Sequence, residues 1–137
     1  MKWNTNPLFA TRNRKDLVGQ LATSTNPGEG GNTVLLGHNY DWGIFEWEAV
    51  FVDLSKLSAG DSITLYTANG GKYQYIVQQV KKVPWQNQNE PELEKHQKYF
   101  WPTDHEQVTL ITCGGADIIH WNARIYVIAT PPRVKAN

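Results

Sequence analysis

Five short runs rich in β-branched and aromatic residues, most of them bounded by glycine, proline or asparagine, constrain the fold of this chain. Two of them, Ser62–Thr67 and Lys72–Val83, alternate between apolar and polar residues on either side of Asn69-Gly70-Gly71, which predicts a β-hairpin. The other runs are Asn32–Leu36, Val108–Cys113 and Arg124–Ala129, with Leu17–Ala22 as a weaker candidate. The pattern predicts an all-β domain.

Helical signals are few and short. Phe51, Leu54 and Leu57 are spaced for about one and a half helical turns and are followed by Gly60. A second short helix is predicted at Pro91–Tyr99, because proline is favoured at the first position of a helix. We therefore expect one or two short helices beside the strands.

The size and charge of the chain narrow its possible functions. Its 137 residues fit a single domain, 1–137, and thirteen Lys and Arg balance thirteen Asp and Glu. A formal net charge of zero argues against a protein that binds nucleic acid or an anionic membrane through a basic surface. No apolar run approaches the ~20 residues of a membrane span, so we expect no membrane anchor in this chain.

The single cysteine is the first candidate for chemistry. Cys113 ends the run Val108–Cys113 and precedes Gly114-Gly115, a position expected to leave its sulfur near the surface. The alternative is a small buried core residue, as most lone cysteines are. One cysteine also excludes an internal disulfide framework and a cysteine-rich zinc site.

The position of His38 favours the interpretation of Cys113 as a nucleophile over its interpretation as a buried core residue. It follows Gly37 at the end of an apolar run, where a titratable side chain is poorly explained as core filling. Histidine is the side chain best able to donate and accept a proton near neutral pH. The other histidines are expected to be exposed or bonded locally: His96, His105 and His120.

Arg124 is the third candidate. It opens the run Arg124–Ala129, and alternation places it on the face of Tyr126 and Ile128. An arginine at a strand end commonly extends its head into water. Only ten residues separate Cys113 from Arg124, however, so their strands are expected to lie close together. A guanidinium fixed beside a thiol can stabilise the negative oxygen of a tetrahedral acyl intermediate.

Several segments in order resemble the sortases, the cysteine transpeptidases of bacterial cell surfaces. Thr109-Leu110-Ile111-Thr112-Cys113 resembles the family's threonine-leucine-x-threonine-cysteine signature. Asn26–His38 resembles the segment ahead of the family's histidine, and Phe51–Asp61 resembles its short helix and the following turn. Arg124, eleven residues after Cys113, matches the family's arginine in order and spacing. The resemblance covers about Val18–Ala129.

The resemblance implies a sortase-type β-barrel of about seven to eight strands and a transpeptidase that uses a thioacyl intermediate. In such an enzyme Cys113 attacks the scissile carbonyl of a C-terminal sorting motif, and Arg124 stabilises the oxyanion. His38 protonates the leaving amine and then deprotonates the incoming amine. The candidate substrate-binding residues are Thr112, Gly114 and Trp101. No metal or other cofactor is implied.

The resemblance also implies partners and a location. The expected partners are a sorting-motif peptide of a secreted surface protein and an amine acceptor in the cell wall or a pilin. The expected location is the extracellular face of the bacterial membrane or the cell wall, and nucleic acid is not an expected partner. The alternative is a catalytically degenerate sortase-like β-barrel that binds peptide or glycan through its aromatic side chains.

Three segments differ from the family's usual pattern or have two possible roles. Sortase domains usually have strands ahead of the region where the resemblance begins, so we expect an incomplete N-terminal edge, with Trp3–Thr11 as a short edge strand or an intermolecular contact. Pro7 within it is tolerated only at a sheet edge. Tyr40–Val50 is longer than the family's usual link from histidine to helix. Pro84–Gln107 is either a surface loop or a wall of a binding groove.

Other cysteine enzymes fit less well. Chymotrypsin-like viral cysteine proteases need two barrels, for which this chain is too short. Papain-like proteases place the cysteine before the histidine, whereas His38 precedes Cys113. No calcium motif can be identified, and the acidic residues that follow His38 are expected to form a solvated face.

Overall fold

Seven strands form one sheet in the part of the chain that the structure describes. The computed structural model describes residues 3–4, 18–38, 50–51, 53–84, 90–114 and 123–133. The strands are β1 (Trp3–Asn4), β2 (Val18–Leu21), β3 (Asn32–Gly37), β4 (Ser62–Tyr66), β5 (Lys72–Pro84), β6 (Gln107–Gly114) and β7 (Ala123–Thr130). A 3-10 turn covers Leu54–Lys56, and the helix α1 covers Glu90–Gln97. These elements confirm the prediction of an all-β fold with short helices.

The order of the strands brings three strand ends together. The order is β1-β2-β3-β6-β7-β5-β4, in which β3 and β6 run parallel and the other described neighbours run antiparallel. Parallel neighbours end on the same side of a sheet, and an antiparallel neighbour begins where its partner ends. The ends of β3 and β6 and the start of β7 therefore share one side of the sheet.

The predicted hairpin is formed by β4 and β5, with Leu65 opposite Tyr73. At its turn, the N–H of Thr67 donates to the carbonyl of Gly71 at 3.0 Å. Gly70 has a φ of 88°, the left-handed region in which glycine meets no steric penalty. The chemistry of the turn thus fixes the register of the two strands.

A short strand lies at the N-terminal side of the sheet. Trp3 lies opposite Leu21 and Asn4 opposite Gln20, so β1 pairs with β2. The structure therefore has the short edge strand that we expected, over two residues of the predicted segment. Pro7 and the rest of that segment lie outside the described residues.

Alternation along the strands creates an inner and an outer face. Leu35 of β3 and Leu65 of β4 pack on the same buried cluster although three strands separate β3 from β4, so the sheet curls around its inner face. The buried members of this cluster are Leu54, Tyr75, Val77, Val108, Leu110, Ile125, Val127 and Ala129. Full burial of one such aliphatic side chain stabilises the fold by about 1.5–3 kcal/mol.

The outer face carries a second cluster, which is built around Tyr126. Tyr99 stacks on Tyr126 with ring centroids 4.0 Å apart, and Phe100 meets the same ring edge-on at 6.2 Å. Ile111 of β6 belongs to this cluster and is fully buried. The connection between β5 and β6 thus packs over the outer face of β6 and β7.

His96 of α1 is buried, and the expectation that it would be exposed or bonded locally is wrong. Its Nδ1 lies 2.6 Å from the Tyr126 hydroxyl, and its Nε2 lies 3.0 Å from the carbonyl of Pro84. A carbonyl can only accept, so Nε2–H donates to Pro84, and in the neutral ring Nδ1 accepts from Tyr126. His105, by contrast, bonds to the adjacent Asp104, as expected.

Glu106 joins three parts of the fold. Its carboxylate accepts hydrogen bonds from the Tyr75 hydroxyl at 2.7 Å, from the N–H of Gly28 at 2.8 Å and from the N–H of Gly30 at 2.7 Å. Burial opposes ionisation, but these donors outweigh it and hold the pKa of Glu106 below its ordinary value. Burial, and then the bond to Glu106, raise the pKa of Tyr75.

Candidate active site

The candidate nucleophile and the candidate oxyanion donor hold opposed positions on two adjacent strands. In the antiparallel register of β6 and β7, Cys113 lies directly opposite Arg124. Directly opposed residues of such a pair occupy the same face of the sheet, with Cβ atoms about 4.5–5.5 Å apart. Cys113 and Arg124 therefore occupy neighbouring positions on one face, which is the outer face that also carries Tyr126.

His38 is placed at the end of the next strand. The last matched pair of β3 and β6 is Leu36 with Ile111. His38 follows Leu36 by two residues, and Cys113 follows Ile111 by two residues, so both lie equally far beyond that pair. The structure thus gathers His38, Cys113 and Arg124 at the same end of three adjacent strands.

Backbone contacts fix the end of β3. The hydroxyl of Thr112 donates to the carbonyl of Gly37 at 2.8 Å, which joins the residues just before Cys113 and His38. The carbonyl of His38 accepts from the N–H of Phe51 at 2.9 Å. A Cβ on Gly37 would lie 2.6 Å from a ring carbon of Phe51, so only glycine permits this approach. His38 itself is exposed.

Arg124 is half-buried in β7, between β6 and β5. Its Nη1 donates to the carbonyl of Ala123 at 3.4 Å, and its other sheet neighbour is Val83. The guanidinium of Arg124 therefore brings a positive charge and several N–H donors to the strand position opposite Cys113. The three residues supply a thiol, an imidazole and a guanidinium, which are the types of group that acyl transfer uses.

The structure treats the three predicted substrate-binding residues differently. Gly114 lies opposite Ala123, one residue beyond Cys113. Thr112 is fully buried, and its hydroxyl donates to the carbonyl of Gly37, which positions the end of β3; its contact with a substrate stays a prediction.

Trp101 is not brought to these three positions. Its carbonyl accepts from the side chain of Asn32 at 3.0 Å, and Asn32 begins β3, whereas His38 follows its end. The six residues of β3 span about 20 Å at ~3.3 Å each, which separates Trp101 from His38. Among the described residues of the β5–β6 connection, Tyr99 and Phe100 contact Tyr126, which lies two residues beyond Arg124 on β7.

Several predicted features lie outside the described residues. They are His120, Trp85, Gly115 and the segment 40–49 that we expected to form a long link after His38. The described residues include no group of three His, Cys, Asp or Glu side chains that could hold a metal ion. In the same part of the chain, no helix is long and apolar enough to cross a membrane.

The hydrogen bond between His96 and Tyr126, near the candidate site, is a contact that the sequence did not predict. Tyr126 is on the same face as Arg124, two residues further along β7. Little in the sequence indicated this hydrogen bond, because a histidine among charged helical residues is usually exposed. Alternation did place Tyr126 on the face of Arg124, but it could not show what packs there.

Comparisons with known proteins identify the family and the fold. The model of the sortase domain matches residues 5–132. Among solved structures, a lid mutant of sortase A from Corynebacterium diphtheriae superposes with a TM-score of 0.68 at 24% identity, over 91% of this chain and 60% of that one. Sortase C1 of the GBS pilus island 1 gives a TM-score of 0.62 at 25% identity, over 88% of this chain and 53% of that one.

Sortase A from Listeria monocytogenes is also similar, with a TM-score of 0.62 at 21% identity over 83% of this chain and 67% of that one. The chain thus spans 60% and 53% of the Corynebacterium and GBS proteins. A comparison with curated proteins gave no match. Because the family model covers nearly the whole sequence, this chain belongs to the sortase family.

Proposed function

We propose that this protein is a cysteine transpeptidase, which cleaves the C-terminal sorting motif of a secreted protein and transfers the new acyl end to an amine. The observation that carries the proposal is the register of β6 and β7, with Cys113 opposite Arg124 and His38 at the adjacent end of β3. Membership of the sortase family supports the same chemistry.

Acylation begins at Cys113. Its thiolate adds to the scissile carbonyl carbon, and the carbonyl oxygen takes the negative charge of a tetrahedral intermediate. Arg124, opposite Cys113 in the register, donates hydrogen bonds to this oxyanion. The C–N bond then breaks, His38 gives a proton to the leaving amine, and a thioester joins the substrate to Cys113.

Transfer reverses these roles. An incoming primary amine loses a proton to His38 and adds to the thioester carbon. The second tetrahedral oxyanion again accepts hydrogen bonds from Arg124. The C–S bond then breaks, which regenerates the thiolate of Cys113. Over the cycle one amide bond is broken and one is formed, and the proton that His38 gives to the leaving amine is replaced by the proton that it takes from the incoming amine.

The proposed partners follow from the family. The donor is a sorting-motif peptide of a secreted surface protein, and the acceptor is an amine of a cell-wall precursor or a pilin subunit. The similarity to a sortase of a pilus island supports the second acceptor. The place of action is the extracellular face of the bacterial membrane or the cell wall.

A transfer assay tests the proposal. The chain is incubated with a panel of sorting-motif peptides and primary amines taken from cell-wall precursors and pilin subunits, and ligated products are separated by chromatography. We expect ligation with at least one pair and none with Cys113→Ala. Peptide binding without cleavage or ligation by the folded wild type would identify a degenerate binding module and overturn the proposal.

A further inference from the structure

Two threonines of β6 bond to the neighbouring strand β3 through their hydroxyls. Thr109 and Thr112 are both fully buried. The hydroxyl of Thr109 donates to the side-chain oxygen of Asn32 at 2.8 Å, where β3 begins. The hydroxyl of Thr112 donates to the carbonyl of Gly37 at 2.8 Å, where β3 ends. A buried hydroxyl costs free energy unless it is bonded, so each bond holds one end of β3 against β6.

The bond of Thr112 lies just beyond the backbone pairing of the two strands. The last matched pair of β3 and β6 is Leu36 with Ile111. Gly37 and Thr112 are the next residues of the two strands, and the proposed proton-transfer residue and nucleophile follow them directly. A side-chain hydroxyl therefore joins the strands at the step before the proposed site.

The backbone around His38 is also held from its other side. The carbonyl of His38 accepts from the N–H of Phe51 at 2.9 Å. A Cβ on Gly37 would lie 2.6 Å from a ring carbon of Phe51 and 2.7 Å from a side-chain carbon of Val50, so the chain is closely enclosed here. Because peptide groups are planar and the carbonyls before and after the Cα of His38 are both bonded, the direction of its Cα–Cβ bond is fixed.

Thr112 lies on the inner face of the sheet. Leu110 belongs to the inner cluster and Ile111 to the outer one, so alternation places Thr112 on the inner face and the position of Cys113 on the outer face. The hydroxyl is bonded to β3 on the face opposite to that of the nucleophile's position. It is thus placed to act on the reaction through the end of β3.

We propose that Thr112 is a positioning residue, which holds His38 in place through the carbonyl of Gly37. The inference rests on the proposed function, in which His38 gives a proton to the leaving amine. Proton transfer needs the two heavy atoms within about 2.6–3.2 Å, so a shift of ~1 Å at the end of β3 slows this step. Cys113 and Arg124 stay opposed on β6 and β7, whose register does not involve this bond.

The leaving group of the substrate separates positioning from a general structural role. A peptide amide needs the proton of His38, whereas an aryl thioester at the same bond releases a stable aryl thiolate without one. In that exchange a C–S bond to Cys113 forms as the C–S bond to the aryl group breaks. Thr112→Val should slow thioacyl-enzyme formation from the amide at least about tenfold and leave the rate from the thioester nearly unchanged. His38→Ala should show the same dependence on the leaving group.

Single-turnover rates over a range of peptide concentrations measure these effects. Thr112→Val should lower the limiting rate and leave the concentration for half the limiting rate unchanged. Thr112→Ser keeps the hydroxyl and should retain most of the amide rate. Weaker peptide binding by Thr112→Val at an unchanged limiting rate would assign the hydroxyl to the substrate and overturn the proposal. Thermal melting checks that each variant folds, and Thr112→Ala removes the same bond if the valine variant does not.

Thr109→Val is the matched control within the same strand. It removes an equally buried hydroxyl, but one that is bonded to the start of β3. It should leave the ratio of the amide and thioester rates unchanged even where it lowers stability. Equal slowing of both substrates by Thr112→Val, or the same change of ratio in Thr109→Val, would overturn the proposal.

Hydrogen exchange at the N–H of Phe51 tests the positioning without a substrate. This group bonds to the carbonyl of His38, so its exchange reports opening at the end of β3. Thr112→Val should speed this exchange at least about tenfold, and Thr109→Val should not. Unchanged exchange in Thr112→Val would overturn the proposal. A wild type that cleaves no peptide would overturn the proposed function instead, and the exchange at Phe51 would still decide whether Thr112 holds the end of β3.

Discussion

Arg124 has the most exacting role in the proposed mechanism, because an oxyanion needs donors at a fixed place. A planar guanidinium offers a rigid fork of N–H groups, whereas an ammonium is a compact charge on a flexible chain. Arg124 is half-buried and lies opposite Cys113, so the strands determine where its side chain starts. A positive charge at a different distance from the strand would not reproduce this placement.

Arg124→Lys should therefore slow acylation by about 10²-fold or more, the usual cost of a lost oxyanion donor. The rate is measured as thioester formation in single-turnover experiments with a peptide that the wild type cleaves. Arg133→Lys is the matched control, since Arg133 is exposed beyond the end of β7, and it should leave the rate unchanged. Near-normal acylation by Arg124→Lys would assign Arg124 a general electrostatic or structural role.

The three residues of the proposed site could be named from the sequence because each interrupts a local pattern. His38 and Cys113 are polar or reactive residues at the ends of apolar runs, and Arg124 begins one. The position of Thr112 could not be foreseen, since its hydroxyl partner is the carbonyl of Gly37, 75 residues earlier. Nor did the sequence show that Trp101 lies near the start of β3, because that placement depends on a contact with Asn32.

Helix α1 is held to the sheet by polar as well as apolar contacts. It has eight residues, of which four are charged and one is apolar apart from proline, so packing of an apolar face contributes little to its stability. His96 instead connects it to the end of β5 through Pro84 and to β7 through Tyr126. The helix precedes Tyr99 and Phe100, so this connection also helps to hold the aromatic cover of the outer face.

Tyr126→Phe should lower the free energy of unfolding by about 1–3 kcal/mol, because it removes the hydroxyl donor from the buried Nδ1 of His96. Urea unfolding measures the change, and hydrogen exchange should show faster opening of α1. The control is Tyr66→Phe at low protein concentration, which removes an exposed hydroxyl and should cost almost nothing. Equal stability of Tyr126→Phe and the wild type would mean that the hydrogen bond does not hold α1.

Strand positions were predictable, but their pairing was less so. The predicted runs Asn32–Leu36 and Lys72–Val83 differ from β3 and β5 by one residue each, because alternation and flanking glycines are local signals. The hairpin of β4 and β5 was predictable for the same reason. The parallel pairing of β3 with β6 joins segments about 75 residues apart, and no periodicity within either segment indicates it.

The fold as a whole depends on one carboxylate for several long-range bonds. Glu106, just before β6, accepts from the loop at Gly28 and Gly30 and from Tyr75 of β5. Its pKa lies below the ordinary value of 4.5 because these donors favour the charged form more than burial opposes it. A carboxyl with a lowered folded-state pKa adds stability above its unfolded pKa, and this contribution is lost as the pH falls through the folded value.

Stability should thus decline between about pH 5 and the folded pKa of Glu106 as its carboxylate is protonated. Glu106→Gln should be less stable than the wild type at pH 7, because its amide cannot accept all three bonds, and its stability should depend less on pH in this acidic range. Unfolding by urea at pH 7, 5 and 4 measures both effects. Parallel pH profiles for the two proteins would show that Glu106 does not control acid stability.

Intact-mass spectrometry after brief incubation with sorting-motif peptides tests the central claim most directly, since the proposed reaction passes through a covalent thioacyl enzyme at Cys113. A thioacyl enzyme should show a mass increase equal to the N-terminal acyl fragment of a cleaved peptide. This increase should disappear on treatment with hydroxylamine and be absent from Cys113→Ala. A peptide cleaved by the wild type without any adduct under rapid quenching, or an adduct that persists in Cys113→Ala, would contradict the account.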